Sequence, residues 1–203
     1  MAEYYLPSWE EIHRDLIELA SRITASKVKY DLIVAIARGG WIIGRMLSDL
    51  LDNKNVANIR IEFYTNIGET MKKPVITQPI STPPDGKNIL LCDDVADTGK
   101  SIKAAYEHLT SKNAGKISVV CLHKKPWSIY TPDYYMKETD KWIIYPWEYR
   151  ETVKKIFENF RREGLDELQA LKKLREIDPS NALFNATINL VYGERVKFDY
   201  KKT

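Results

Sequence analysis

Apolar residues recur along this chain in two regimes, and the change falls near residue 149. Ser8-Trp9-Glu10-Glu11 has the form of a capping box, and Ile12, Leu16, Leu19 and Ile23 follow at helical spacing. That pattern predicts an amphipathic helix over 8–26. Residues 31–37 (DLIVAIA) are an unbroken apolar run of strand length, as expected for a strand covered on both faces. Arg38-Gly39-Gly40 ends the run, and 41–51 reads as a helix. Residues 58–65 alternate like a strand with which 75–80 can pair, and Pro83-Pro84-Asp85-Gly86 marks a turn. A second buried run, 89–92, leads through Asp93 and Asp94 to Asp97-Thr98-Gly99-Lys100-Ser101. Ile102, Ala105, Tyr106 and Leu109 then carry a helix, and 116–123 (KISVVCLH) is another buried strand.

Beyond it, Lys124, Lys125, Pro126, Trp127, Tyr130, Pro132, Tyr134, Tyr135, Trp142, Tyr145, Pro146 and Trp147 crowd one stretch. Prolines and aromatics at that density suit an irregular cap better than a regular element. From Tyr149 the pattern is helical only. Val153, Ile156, Phe157 and Phe160 form one face, and Leu165, Leu168, Leu171 and Leu174 a second. Asp178-Pro179 reads as a cap with a first-turn proline before Leu183, Phe184, Thr187, Ile188 and Val191. Residues 196–200 are a short strand-like tail. Strand–helix alternation over 28–123 predicts an α/β fold with a mainly parallel sheet flanked by helices. The expected organisation is a core over 1–148, with a hood at 124–148, and a three-helix C-terminal appendage over 149–203.

Composition narrows the class. The chain has 203 residues, 44% hydrophobic and 29% charged, enough for one good core with a small appendage. A net charge of +3 argues against nucleic acid as a partner. Acids at Glu3, Glu10, Glu11, Asp15 and Glu18 do not suit a signal or transit peptide, and no apolar run approaches the ~20 residues of a membrane span. The expectation is a cytoplasmic protein with no membrane partner. Cys92 and Cys121, each in an apolar run, read as buried free thiols rather than a disulfide or a reactive pair.

The chemistry concentrates at 88–101. A helix N-terminus offers free N–H groups and a positive dipole end, which receive phosphate. The acids just before it repel phosphate, but suit hydroxyl groups or a divalent cation. A sugar phosphate needs both seats. The Arg38-Gly39-Gly40 turn is either a plain tight turn or a second anion seat. In a parallel sheet both turns lie at the carboxyl ends of strands, where ligands bind, which favours the second reading. Residues 66–73 form either an ordinary hairpin loop or a lid whose Lys72 and Lys73, with Tyr64 before them, meet phosphates. The aromatic cap either packs as minor core or stacks on a flat heterocycle.

Four apolar residues, two acids, two more residues and Asp-Thr-Gly-Lys-Ser resemble the 5-phosphoribosyl 1-pyrophosphate (PRPP) fingerprint of the type I phosphoribosyltransferases. Ala37-Arg38-Gly39-Gly40 resembles that family's pyrophosphate loop, which often carries a cis non-proline peptide. Lys125-Pro126 and Lys141-Trp142-Ile143 resemble the base-binding hood of its 6-oxopurine branch. The resemblance implies the type I phosphoribosyltransferase fold and a Mg²⁺-dependent purine salvage enzyme, joining PRPP to a purine base with inversion at the anomeric carbon. The products would be a nucleoside monophosphate and pyrophosphate, and the assembly a homodimer. By position, Asp93 and Asp94 would hold the ribose hydroxyls, directly or through Mg²⁺ and water. Thr98, Gly99, Lys100 and Ser101 would cradle the 5′-phosphate, and Arg38, Gly39 and Gly40 would take pyrophosphate. Asp97 would handle the proton lost as N9 attacks. Lys125 would meet the exocyclic edge of the base, with Trp142 stacking on it and Ile143 against its far side.

The helical third is similar to an extension of crenarchaeal adenine phosphoribosyltransferases. This places adenine, with AMP as product, ahead of the alternative of hypoxanthine or guanine. Lys125 argues the other way, since an ammonium suits a 6-oxo group. A non-catalytic sensor of PRPP or nucleotide on the same fold is a further reading, against which Asp97 and the intact Arg38 turn count. A phosphoacceptor receiver lacks its later aspartate here. A nucleoside triphosphate loop would need a glycine where Asp94 stands.

Overall fold

In the computed structural model, which describes residues 3–64 and 73–193, the elements follow the hydrophobic pattern closely through the first 124 residues. They are β1 (Tyr4–Tyr5), α1 (Trp9–Ala25), β2 (Leu32–Ala37), α2 (Gly40–Leu50), β3 (Val56–Tyr64), β4 (Lys73–Gln78), β5 (Ile89–Ala96), α3 (Lys100–Thr110) and β6 (Ile117–Lys124). There follow β7 (Tyr134–Glu138), β8 (Trp142–Ile143), a 3-10 turn (Pro146–Glu148), α4 (Tyr149–Arg162), α5 (Glu167–Arg175) and α6 (Ala182–Tyr192). The chain divides into two units, Glu10–Asp140 and a second made of Met1–Trp9 with Lys141–Thr203. The expected boundary at 148–149 lies inside the second unit.

The larger unit is a six-stranded sheet in the order β4-β3-β2-β5-β6-β7. All neighbours are parallel except β3 with β4. All six residues of β2 are buried, because both faces of this central strand are covered. Leu32, Val34 and Ile36 join Leu91, Val119 and the α3 residues Ile102, Ala105 and Leu109 in one core cluster. On the other face Gly44 of α2 lies against Ala35 and Ile33. Alternate side chains along one strand thus serve two layers.

The sequence pattern missed three features. The hood is not wholly irregular: β7, rich in tyrosine, joins the sheet as an edge strand beside β6, and β8 pairs in parallel with β1. Aromatic residues fit a half-buried pleated surface, and that tendency wins over the nearby prolines. β5 does not end at Cys92 but runs through the acids to Ala96, because β6 continues beside it as far as Lys124. The last helix is capped by Asn181, whose side-chain oxygen accepts the Phe184 N–H, and not by Asp178.

The second unit has its own core, in which Ile144, Val153, Ile156, Phe160, Ala170, Leu174, Phe184 and Ile188 meet. Tyr149 packs edge-on to Phe184 at 5.3 Å and accepts a hydrogen bond from Asn181 Nδ2. The expected tail at 196–200 and most of the expected lid, including Lys72, lie outside the described residues.

Candidate active site

The strand order reverses direction between β2 and β5. The chain leaves β2 outward to β3, then returns to lay β5 on the other side of β2. Crevices form at such switch points beyond the carboxyl ends of the strands. Both glycine turns follow these two neighbouring strands, so the sheet brings them together. Gly39 approaches Asp94 so closely that a Cβ there would stand 1.8 Å from Asp94 Oδ2. A Cβ on Gly40 would stand 2.4 Å from the Cys92 carbonyl oxygen. The Ala37–Arg38 peptide is cis. Arg38 is exposed, and its charge reaches Glu62 on β3.

The paired acids are unequal. As consecutive strand residues they point to opposite faces. Asp93 is buried and accepts the Asp94 N–H at 3.0 Å. Burial first, and the Asp94 charge second, push its carboxyl well above the ordinary range. Asp94 is half-buried beside Gly39 and accepts the Val95 N–H at 2.8 Å. Asp94 is therefore the acid better placed to meet a ligand. Gly99 then turns the chain with φ +76°, a left-handed conformation in which glycine carries no steric penalty, and α3 starts at Lys100. Thr98, Lys100 and Ser101 thus frame a helix N-terminus at the mouth of the switch point. The exposed Asp97 lies just before them.

A strap after β6 closes over this loop. Lys125 N donates to Ala96 O, Ile129 N donates to Thr98 O, and Gly99 packs against Ser128 and Tyr130. Of the two neighbouring lysines, Lys124 is taken by Glu138 at 2.6 Å. Lys125 is the one near the carboxylate of Asp97. Its side chain is buried, which lowers its pKa, while Asp97 and Asp140 oppose that shift. Its Nζ lies 5.5 Å from the centre of the Trp127 ring, and Trp127 Nε1 donates to Asp97 Oδ1 at 3.1 Å. Sequence reasoning passed over Trp127 as one hood aromatic among many. Its role depends on how the strap docks, which no periodicity records.

The remaining candidates belong to other elements. Tyr64 ends β3 and donates to Glu62 Oε2 at 2.7 Å, and Lys73 pairs with it across the hairpin. Trp142 and Ile143 form β8 of the second unit, paired with Tyr4 and Tyr5; Trp142 is half exposed and Ile143 buried. Among the described residues no group of three or more His, Cys, Asp or Glu forms a ready-made metal cage. One or two hard carboxylate oxygens still fit Mg²⁺, which keeps several waters and shares itself with phosphate oxygens.

The comparisons agree with this geometry. The phosphoribosyl transferase domain family matches residues 8–153. The xanthine-guanine phosphoribosyltransferase of Gluconobacter oxydans is 28% identical over 147 residues, covering 71% of this chain and 84% of that protein. The xanthine-guanine phosphoribosyltransferase of Cereibacter sphaeroides is 31% identical over 147 residues, covering 70% and 84%. The crystal structure of a purine phosphoribosyltransferase from Pyrococcus horikoshii superposes with a TM-score of 0.65 at 35% identity, covering 71% of this chain and 93% of that one. With two glycine turns and an acid pair meeting at one switch point, this chain belongs to the phosphoribosyltransferases of type I, in their purine branch.

Proposed function

We propose that this protein transfers 5-phosphoribosyl from PRPP to N9 of a 6-oxopurine (xanthine, guanine or hypoxanthine). The products are the nucleoside monophosphate and pyrophosphate. The observation that carries this reading is Lys125, a buried ammonium held beside Asp97 at the end of β6. An ammonium donates to a 6-oxo group, whereas adenine presents a donor at that position. The xanthine-guanine relatives support the same choice, so the adenine preference drawn from the helical extension gives way to the alternative.

In this reading Thr98, Gly99, Lys100 and Ser101 seat the 5′-phosphate on the α3 N-terminus. Asp94, with Asp93 behind it, takes the ribose hydroxyls. Arg38, Gly39 and Gly40 receive the pyrophosphate, and Arg38 offsets the charge that gathers on it as the C–O bond breaks. Mg²⁺ held near Asp94 would supply further neutralisation of the same charge. Asp97 accepts the proton that the purine gives up as N9 bonds to the anomeric carbon. Trp142 and Ile143 bind the base, and Tyr64, Lys72 and Lys73 belong to a segment that closes on the phosphates. We assign the core to 1–148 and an appended extension to 149–203. We further assign a homodimer working in the cytoplasm. Among the described residues no helix is long and apolar enough to cross a membrane.

The test is a base panel. With PRPP and Mg²⁺, nucleotide should form fastest from guanine, xanthine or hypoxanthine. Adenine as the preferred base, giving AMP, would overturn the specificity, and no pyrophosphate from any base would favour a non-catalytic sensor. Asp97→Asn should bind PRPP normally by calorimetry yet lose about a hundredfold or more in turnover.

A further inference from the structure

We infer that Trp127 is a positioning residue for the proton acceptor: its ring holds Asp97 and Lys125 apart and aims the carboxylate at the base. This rests on the reading of Asp97 as that acceptor.

Trp127 touches both groups with different parts of one ring. The indole N–H, at the ring edge, donates to Asp97 Oδ1 at 3.1 Å, while the Lys125 ammonium lies over the ring at 5.5 Å from its centre. A carboxylate and an ammonium this close to each other attract, as the influence of Asp97 on Lys125 shows. A direct ion pair between them would occupy both the oxygen that must take a proton and the donor that must read the base. An indole satisfies each without charge. Its N–H orients a carboxylate without the strong pull that a cation exerts, and its face accepts an ammonium through the ring quadrupole. With Oδ1 held by the indole, Oδ2 is left for the purine.

The backbone keeps the ring in place although the side chain is 54% exposed. Lys125 N bonds to Ala96 O at 3.0 Å, Ser128 N to Lys125 O at 3.0 Å, and Ile129 N to Thr98 O at 3.1 Å. Trp127 therefore sits in a tight turn pinned on both sides to the residues that flank Asp97. The same pins make Asp97 and Lys125, 28 positions apart in sequence, parts of a single rigid piece.

The test uses the full chain with PRPP, Mg²⁺ and guanine. Trp127→Phe keeps the ring face under Lys125 and removes the N–H. It should lower kcat about tenfold or more, the size expected for a hydrogen bond to a charged group, while KM for both substrates stays within about twofold. Trp127→Ala removes the spacer as well, and should raise KM for the base in addition. The Trp127 indole N–H resonance, identified by its loss in Trp127→Phe, should shift in Asp97→Ala. A wild-type or faster kcat in Trp127→Phe would overturn the inference, the faster value marking the indole as an obstruction. So would a kcat loss matched by equal rises in both KM values, which is what a loosened strap gives. Asp97→Asn separates the two ideas. If it turns over like wild type, the proton-acceptor reading and this inference fall together. If it is slow while Trp127→Phe is not, only the role of Trp127 falls.

Discussion

The two glycine turns of the site join a buried strand to a helix in the same way, yet they require glycine for different reasons. Gly39 has ordinary right-handed backbone angles, φ −61° and ψ −41°, which any residue adopts. What it lacks is room, since Asp94 occupies the place of its Cβ. Gly99 has φ +76°, so the backbone itself selects glycine, and a Cβ there would also stand 2.7 Å from the Tyr130 N of the strap. The first turn is shaped by the Asp94 carboxylate, the second by chain geometry. A substitution at the first should damage function more than folding, and at the second folding along with function.

Gly39→Ala should produce the largest effect. The new methyl displaces the Asp94 carboxylate from its seat, and a misplacement of about 1 Å at a reacting group costs on the order of a hundredfold in turnover. Thermal unfolding should change little, because the atom displaced ends a side chain. A variant that melts far below wild type would break the distinction.

Acid should act next in size, through a histidine beneath the second turn. Strand β2, beneath the first turn, carries no titratable side chain. Beneath the second, His123 of β6 pairs with Val95 of β5 and is 1% exposed. Burial first, then the charge of Lys137, pull its pKa from 6.5 to about 4. The folded state therefore binds this proton less readily than the unfolded chain. The stability contributed is fully present above pH 6.5 and is lost as pH falls toward 4, in all about 3 kcal/mol. Denaturant melts at stepped pH should show this slope in wild type and a flatter one in His123→Gln. Equal slopes would remove the histidine from the account.

Gly99→Ala should be the smallest of the three. Forcing alanine into the left-handed region costs about 1–2 kcal/mol, to which the contact with the Tyr130 N adds, read as a lower melting temperature with a turnover loss that follows from the shifted strap. Unchanged melting would mean that the turn can flip to another geometry, and the contrast with Gly39 would blur.

Much of this was legible in the sequence because it depends on local order. The apolar runs of β2, β5 and β6, the acids after Cys92 and the helix starts at both turns are written consecutively, and the helical spacing of α1 and α4 is equally direct. What escaped is non-local. Two-residue β1 meets β8 across more than 130 positions, a pairing no short window contains. The extension of β5 to Ala96 depends on β6 beside it. The Asp178-Pro179 signal was outcompeted by Asn181, three residues on, whose side chain reaches the Phe184 N–H. Trp127 and Asp97 meet only through the strap. The relatives favour the 6-oxopurine alternative over the adenine expectation, which rested on a helical appendage that says little about the groups that touch a base.

The reversal of strand order between β2 and β5 also bears on how the molecule forms. Leu32 pairs with Ile89 and Ala35 with Cys92, contacts that join segments made far apart in time during synthesis. Closing so long a loop costs chain entropy before any contact offsets it. The cleft is born in that same closure, since each of its turns hangs on one of the two strands. A nascent chain thus carries no half-formed cleft, and PRPP added during refolding should leave the rate unchanged while stabilising only the finished sheet.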